Sequence, residues 1–151
     1  VAFALLERLT RYQEIAEKTV MEATIVNMRS GLRMRVAELM VAGEMSKMAS
    51  LMQENPITWL SAPPINYGGL FKQQSGWKPQ QGEWYFDATR KQLVYFPQRQ
   101  RFFQSATGIP VEVRLQVMAR SPTLGLASHP TGLVEGLVLV LLTPYRWDGT
   151  I

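Results

Sequence analysis

The chain of 151 residues has no cysteine and one histidine, His129. Disulfide frameworks, Cys-rich zinc sites and thiol nucleophiles are therefore excluded, and any His-dependent triad has to be built on His129. That residue stands in the sequence Ala127-Ser128-His129-Pro130, with no Gly-x-Ser-x-Gly or comparable nucleophile pattern to serve, and reads as an ordinary loop residue. Gly68-Gly69 and Thr131-Gly132 fit neither a phosphate loop nor a dinucleotide fingerprint and read as turns. Long apolar runs are missing too. Residues 133–142 form a run of ten that contains Glu135, about half of the roughly 20 needed to span a bilayer, and read as a strand buried on both faces. The lack of cysteine leaves the compartment open, because a reducing cytosol and a disulfide-free periplasmic protein look alike in this respect.

What is present is a core-forming composition, 46% hydrophobic and 19% charged, with residue types that favour a binding or structural domain over an enzyme. Lys and Arg number 16 against 12 for Asp and Glu. Residues 1–54 hold 7 acids and 7 bases, whereas residues 55–151 hold 5 and 9, so the whole excess of +4 lies in the second part and the chain divides near Asn55-Pro56.

The first part reads as helix. From Phe3 to Ala42 there is no proline and a single glycine, Gly31, among residues of high helix propensity. Apolar or small side chains recur at Leu5, Leu9, Tyr12, Ala16, Val20, Ala23, Asn27, Ser30, Met34, Ala37 and Val41, the alternating three-and-four step of one helical face. Gly43 offers a stop, and residues 44–53 read as a second, Met-rich helical piece ended by Asn55-Pro56. Met45, Met48 and Met52 of that piece, with Met40, are expected to pack in the core. Glu14 and Glu17 are expected on a solvated, charged face. Forty helical residues make a rod of roughly 60 Å, against a diameter of roughly 40 Å for a compact domain of this length. Unless the rod bends at Gly31, one end overhangs, and the N-terminal end with Phe3, Leu5, Leu6 and Leu9 is expected to be the free one. Because the chain starts at Val1, the start reads as a processed or truncated terminus whose missing segment was more apolar.

Residues 55–82 read as an irregular connection anchored by Trp59, Leu60, Ile65, Tyr67, Leu70, Phe71 and Trp77. Glu83-Trp84-Tyr85-Phe86-Asp87 and Gln92-Leu93-Val94-Tyr95-Phe96 flank a short polar loop and predict a hairpin. Val111, Val113, Leu115 and Val117 alternate with Glu112, Arg114, Gln116 and Met118, which predicts a strand with one wet face. Residues 121–132 are expected to be loop and residues 133–143 the last strand. A long helix followed by strands, with no second long helix for crossovers, predicts an α+β fold in which the helix packs on an antiparallel sheet. The chain is thus read as one domain with a stem (1–54), a connection (55–82) and a sheet (83–151).

A rival signal is basic and aromatic. Residues 72–120 hold 8 bases against 3 acids, and Arg90, Lys91, Arg99, Arg101 and Arg114 surround Tyr95, Phe96, Phe102 and Phe103. Arginine for phosphate and rings for bases is the recipe for single-strand binding, with Arg99, Arg101, Phe102 and Phe103 as candidate contacts. The modest total charge weighs against it, and so does an alternation that buries the rings.

This order of elements resembles the type IV pilins and the pseudopilins of type II secretion, without their N-terminal membrane segment. The stretch from Leu6-Glu7-Arg8-Leu9 through residues 23–33 is similar to the exposed half of the pilin helix. Trp84-Tyr85-Phe86-Asp87 followed by Leu93-Val94-Tyr95 is similar to the aromatic hairpin of many such proteins. The resemblance implies a pilin-like fold and a structural or assembly subunit with no catalysis, no cofactor and no metal. It implies anchoring in a bacterial inner membrane through a segment ahead of Val1, a periplasmic ectodomain, and polymerisation with copies of itself and other pilin-like subunits through the helix, at Leu5, Leu9, Tyr12 and Ala16. The missing C-terminal Cys pair tilts this toward a pseudopilin or minor pilin, and only two aspartates, Asp87 and Asp148, make a calcium loop hard to build. The alternatives are a DNA-binding minor pilin using the Arg99 and Arg101 region, and a free-standing extracytoplasmic ligand-binding domain, which needs an enclosed pocket.

Overall fold

The computed structural model describes residues 1–106, 108, 111–121, 125–127 and 136–148. His129 and the first three residues of the expected last strand lie outside them. The first helix, α1, runs Ala2–Val41, unbroken through Gly31, and stops where Gly43 takes a left-handed φ of 70°, as only glycine does readily. Two 3₁₀ helices follow, Met45–Gln53 and Pro56–Trp59. The strands are β1 (Tyr67–Leu70), β2 (Trp84–Asp87), β3 (Gln92–Tyr95), β4 (Gln104–Ser105), β5 (Val113–Ser121), β6 (Gly125–Ala127), β7 (Gly136–Leu141) and β8 (Tyr145–Arg146). The class is α+β, with the long helix on a mostly antiparallel sheet.

The hairpin forms as its sequence predicts, with Trp84 opposite Tyr95 and Asp87 opposite Gln92. Its turn is held by Asp87, whose Oδ1 accepts from the backbone N–H groups of Thr89 and Arg90. Strand β5 pairs with β3 through Val113–Gln116, with β7 along Leu115–Arg120, and with β6 at its end. Strand β6 falls inside the stretch expected to be loop, and β7 is half-buried rather than covered on both faces, with Leu139 its one fully buried residue.

The irregular connection hides a strand. β1 pairs with β2 in parallel, Tyr67 beside Trp84 and Leu70 beside Phe86, so the sheet is mixed rather than purely antiparallel. A parallel pair needs a crossover of a dozen or more residues, and residues 71–83 supply it. They pass over the sheet face opposite the helix, where Phe71 and Trp77 cover Tyr85, Val94 and Phe96 as a second, smaller core. The outward face of β5 is therefore not uniformly wet. Arg114 is buried there between Glu112 (2.6 Å) and Asp87 (3.3 Å), and its guanidinium lies 5.4 Å from the Phe71 ring centre.

The main core lies between α1 and the other face of the sheet. Met21, Ile25, Met28 and Leu32 of the helix meet Trp84, Phe86, Leu93, Leu115 and Val117, with Leu51, Met52 and Ile57 closing one end. Of the methionine set, Met48 and Met52 are buried, whereas Met40 and Met45 are exposed.

Glu14 and Glu17 depart most from expectation: they are not on a solvated face. Glu14 is buried and accepts from the backbone N–H groups of Arg101 (2.8 Å) and Phe102 (2.9 Å) and from the indole Nε1 of Trp147 (3.1 Å). Glu17 is half-buried and accepts from Gln98 N (2.6 Å), Arg99 N (3.0 Å) and Tyr95 OH (2.8 Å). The segment leaving β3 has no strand partner for these donors, and the two carboxylates take that place. Burial first, then the hydrogen bond to Glu17, pushes the Tyr95 phenol above its ordinary pKa and keeps it a donor. Burial and Glu22 do the same for Tyr145, which donates to Glu22 (2.9 Å).

Gly31 is required by a close approach. A Cβ there would stand 2.8 Å from Trp59 Cβ and 3.0 Å from Trp59 O. Replacement by alanine gains about 1 kcal/mol of helix propensity but forces the second 3₁₀ helix away, at about 1–3 kcal/mol for overpacking. Gly31→Ala is expected to lose about 1 kcal/mol net in urea unfolding and to expose Trp59. A stabilised variant would show that the segment yields freely.

A candidate assembly face on the helix

The helix carries two apolar stripes. At about 100° per residue, positions two apart lie about 200° apart around the axis. Ala23, Asn27, Ser30 and Met34 each stand two residues beyond the core residues Met21, Ile25, Met28 and Leu32. The periodic face read from the sequence is thus turned away from the sheet, and Glu14 marks where the buried stripe begins.

N-terminal to Glu14, long polar side chains of the helix meet other described residues. Glu7 pairs with Arg101 (3.0 Å), Arg11 lies over Phe102, and Gln13 accepts from Arg99 Nε (3.3 Å). Phe3 is 74% exposed, Leu5 68%, Leu9 53% and Tyr12 67%, and Ala16 is also exposed. The four predicted contact residues therefore share one open face. Among the described residues, no helix is long and apolar enough to cross a membrane.

Toward the other end the same stripe borders a groove, which the sequence reading missed. Thr24, Asn27, Ser30, Gly31 and Met34 form one wall and residues 59–64 the other, around roughly 570 Å³. The Asn55 side chain accepts from Ile57 N and starts the 3₁₀ helix that places Trp59, and Trp59 Nε1 donates to Glu54 (2.9 Å). The only sequence signals for this groove are the lone helical glycine and Asn55-Pro56. Beyond it, Met34, Ala37 and Val41 line a second, shallower depression. The outer stripe thus has an apolar tip at one end and concavities at the other.

The basic and aromatic candidates are brought together but are already engaged. Phe103 is buried, stacks on Tyr145 and meets Trp147 edge-on. Phe102 is half-buried beneath the guanidinium groups of Arg11 and Arg101. Arg101 is paired with Glu7 and Arg99 is bonded to Gln13. Their chain is drawn against Glu14 and Glu17, an acidic neighbourhood that neutralises the patch. Among the described residues no three acidic or histidine side chains converge on a metal position; Asp87 is engaged by Arg114 and Asp148 by Arg146.

Comparison of the chain with protein-family models, with curated proteins and with solved structures returns no match. The long helix on a mixed sheet is compatible with a pilin-like fold.

Proposed function

We propose that this chain is a structural subunit of a pilus- or pseudopilus-like filament, polymerising through α1. The observation that carries the reading is the second apolar stripe, which faces away from the chain's own core and stays exposed at Leu5, Leu9 and Tyr12. Contiguous exposed apolar surface marks an interaction site. A convex tip and a concave groove on one molecule favour a heterologous, head-to-tail contact, and such contacts propagate into open filaments. The reading carries with it a membrane-anchored, periplasmic ectodomain and other pilin-like subunits as partners.

The absence of cysteine supplies the test, since an introduced thiol has only other introduced thiols to pair with. Leu9→Cys protein mixed with Met34→Cys protein, concentrated and mildly oxidised, is expected to give mixed disulfide dimers. Leu9→Cys mixed with Gln53→Cys, off the stripe, is expected to give few. Equal yields in the two mixtures overturn the tip-to-groove contact.

A further inference from the structure

A second surface lies on the opposite side of the sheet. Phe71, Trp77, Phe96 and Arg114 line a cleft of roughly 400 Å³, with Lys72 and Arg90 also on its lining, a size within the range of ligand sites. Phe71 and Trp77 are half-exposed and meet edge-on at 5.1 Å. Arg114 is engaged by Glu112, Asp87 and Gln92. The side chains of Lys72 and Arg90 make no hydrogen bond or ion pair among the described residues, unlike Arg99 and Arg101.

The carboxylates show what kind of molecule supplies the missing charge. Of the 12 acids, all but Glu135 are described, and every one of these accepts a hydrogen bond or ion pair within the molecule. A second copy of this chain would have to turn one of these already engaged carboxylates toward the cleft. A different molecule, an anion that also has planar groups to set against the half-exposed rings, meets the cleft without that rearrangement.

We propose that this cleft binds single-stranded nucleic acid, with phosphates at Lys72 and Arg90 and a base against Phe71 and Trp77. Unpaired cations beside accessible rings are what strand binding without sequence preference requires. That pairing is met here and not at Arg99–Phe103, where the rings are covered and the cations engaged. Two phosphate contacts make the binding weak and steeply salt-dependent, with a logarithmic slope of about −1.4 at about −0.7 per contact. The inference is independent of the assembly reading.

The experiment is fluorescence anisotropy of a labelled oligo(dT) of about twelve nucleotides with the whole chain at about 20 mM and about 200 mM salt. Saturable binding at the lower salt is expected. It should weaken about tenfold in the Lys72→Glu, Arg90→Glu double variant and stay within about twofold in Arg99→Ala, Arg101→Ala, as expected for losing two phosphate contacts or none. Circular dichroism checks that each variant is folded, and because Lys72 and Arg90 hold nothing in place, both are expected to remain so. Three results each overturn the site: no binding at low salt, equal weakening in both double variants, or displacement of the oligonucleotide by polygalacturonate at matched charge. The last would mark a surface for polyanions in general, with no part for the rings.

Discussion

Glu14→Ala is expected to remove about 3–5 kcal/mol of stability, because it strands three donors: the backbone N–H groups of Arg101 and Phe102 and the indole Nε1 of Trp147. An unsatisfied buried donor costs about 1–3 kcal/mol. The indole sits in a buried pair and pays in full, while the two amides are partly reached by water and pay less. Against a total stability of about 5–15 kcal/mol, the loss lowers the melting temperature by about 10 °C at about 2–4 °C per kcal/mol for a chain of this size. Glu14→Gln keeps one acceptor oxygen and is expected to lose roughly half as much. Glu17→Ala, at a half-buried position, is also expected to cost less. Urea unfolding at unchanged m-value checks the ranking, and hydrogen exchange should show the amides of residues 98–102 losing protection first. A Glu14→Ala loss below about 1 kcal/mol would mean that water replaces the carboxylate. The consequence reaches the proposed assembly face, because Glu14 is the first buried residue of the helix.

The helix and its outer stripe were legible because their signals are local: no proline, one glycine and a sustained three-and-four step. Two stripes offset by two positions look alike in sequence, however, and nothing in Leu5-Leu9-Tyr12 or Met21-Ile25-Met28 says which one a sheet will cover. Glu14 misleads for a related reason. A carboxylate in a helix reads as solvated until something brings it donors, and these come from residues 101, 102 and 147, far away in the chain. β1 is hidden because Tyr67-Gly68-Gly69-Leu70 has almost no strand propensity. Its glycines answer local geometry instead: a Cβ on Gly68 would fall 2.5 Å from the Tyr85 ring, and Gly69 takes a left-handed φ of 98°. The cleft around Lys72 and Arg90 is not legible, because the crossover that brings Phe71 over Phe96 cannot be seen from spacing, and the basic and aromatic signal points to Arg99 and Arg101 instead. That Leu5, Leu9, Tyr12 and Ala16 share one face follows from their spacing alone, whereas the groove depends on Trp59 closing against Gly31, a contact between residues 28 positions apart.

Leu9→Asp is expected to leave the fold untouched and to abolish assembly. Leu9 touches none of the buried core and stands more than a helical turn before Glu14, so the substitution costs the monomer only the difference in helix propensity, about 0.5 kcal/mol. In a contact between copies, the same position takes a carboxylate out of water. The residues around it on the stripe, Leu5, Tyr12 and Ala16, offer no cation; Arg11 lies over Phe102 and Arg101 is on Glu7, and Arg8 stands about 100° around the axis from Leu9. An unpaired charge forced into such a contact costs about 3–5 kcal/mol, which at about 1.4 kcal/mol per decade is a loss of at least 100-fold in association. Filament contacts repeat at every subunit, so a penalty of this size per joint is enough to stop growth altogether. Leu9→Met, similar in volume and equally apolar, is expected to assemble normally, which separates loss of the contact from loss of the side chain as such. Electron microscopy of assembled filaments and the amount of tagged subunit incorporated measure both variants. Incorporation of Leu9→Asp at the level of the parent would move the polymer contact off this face of the helix.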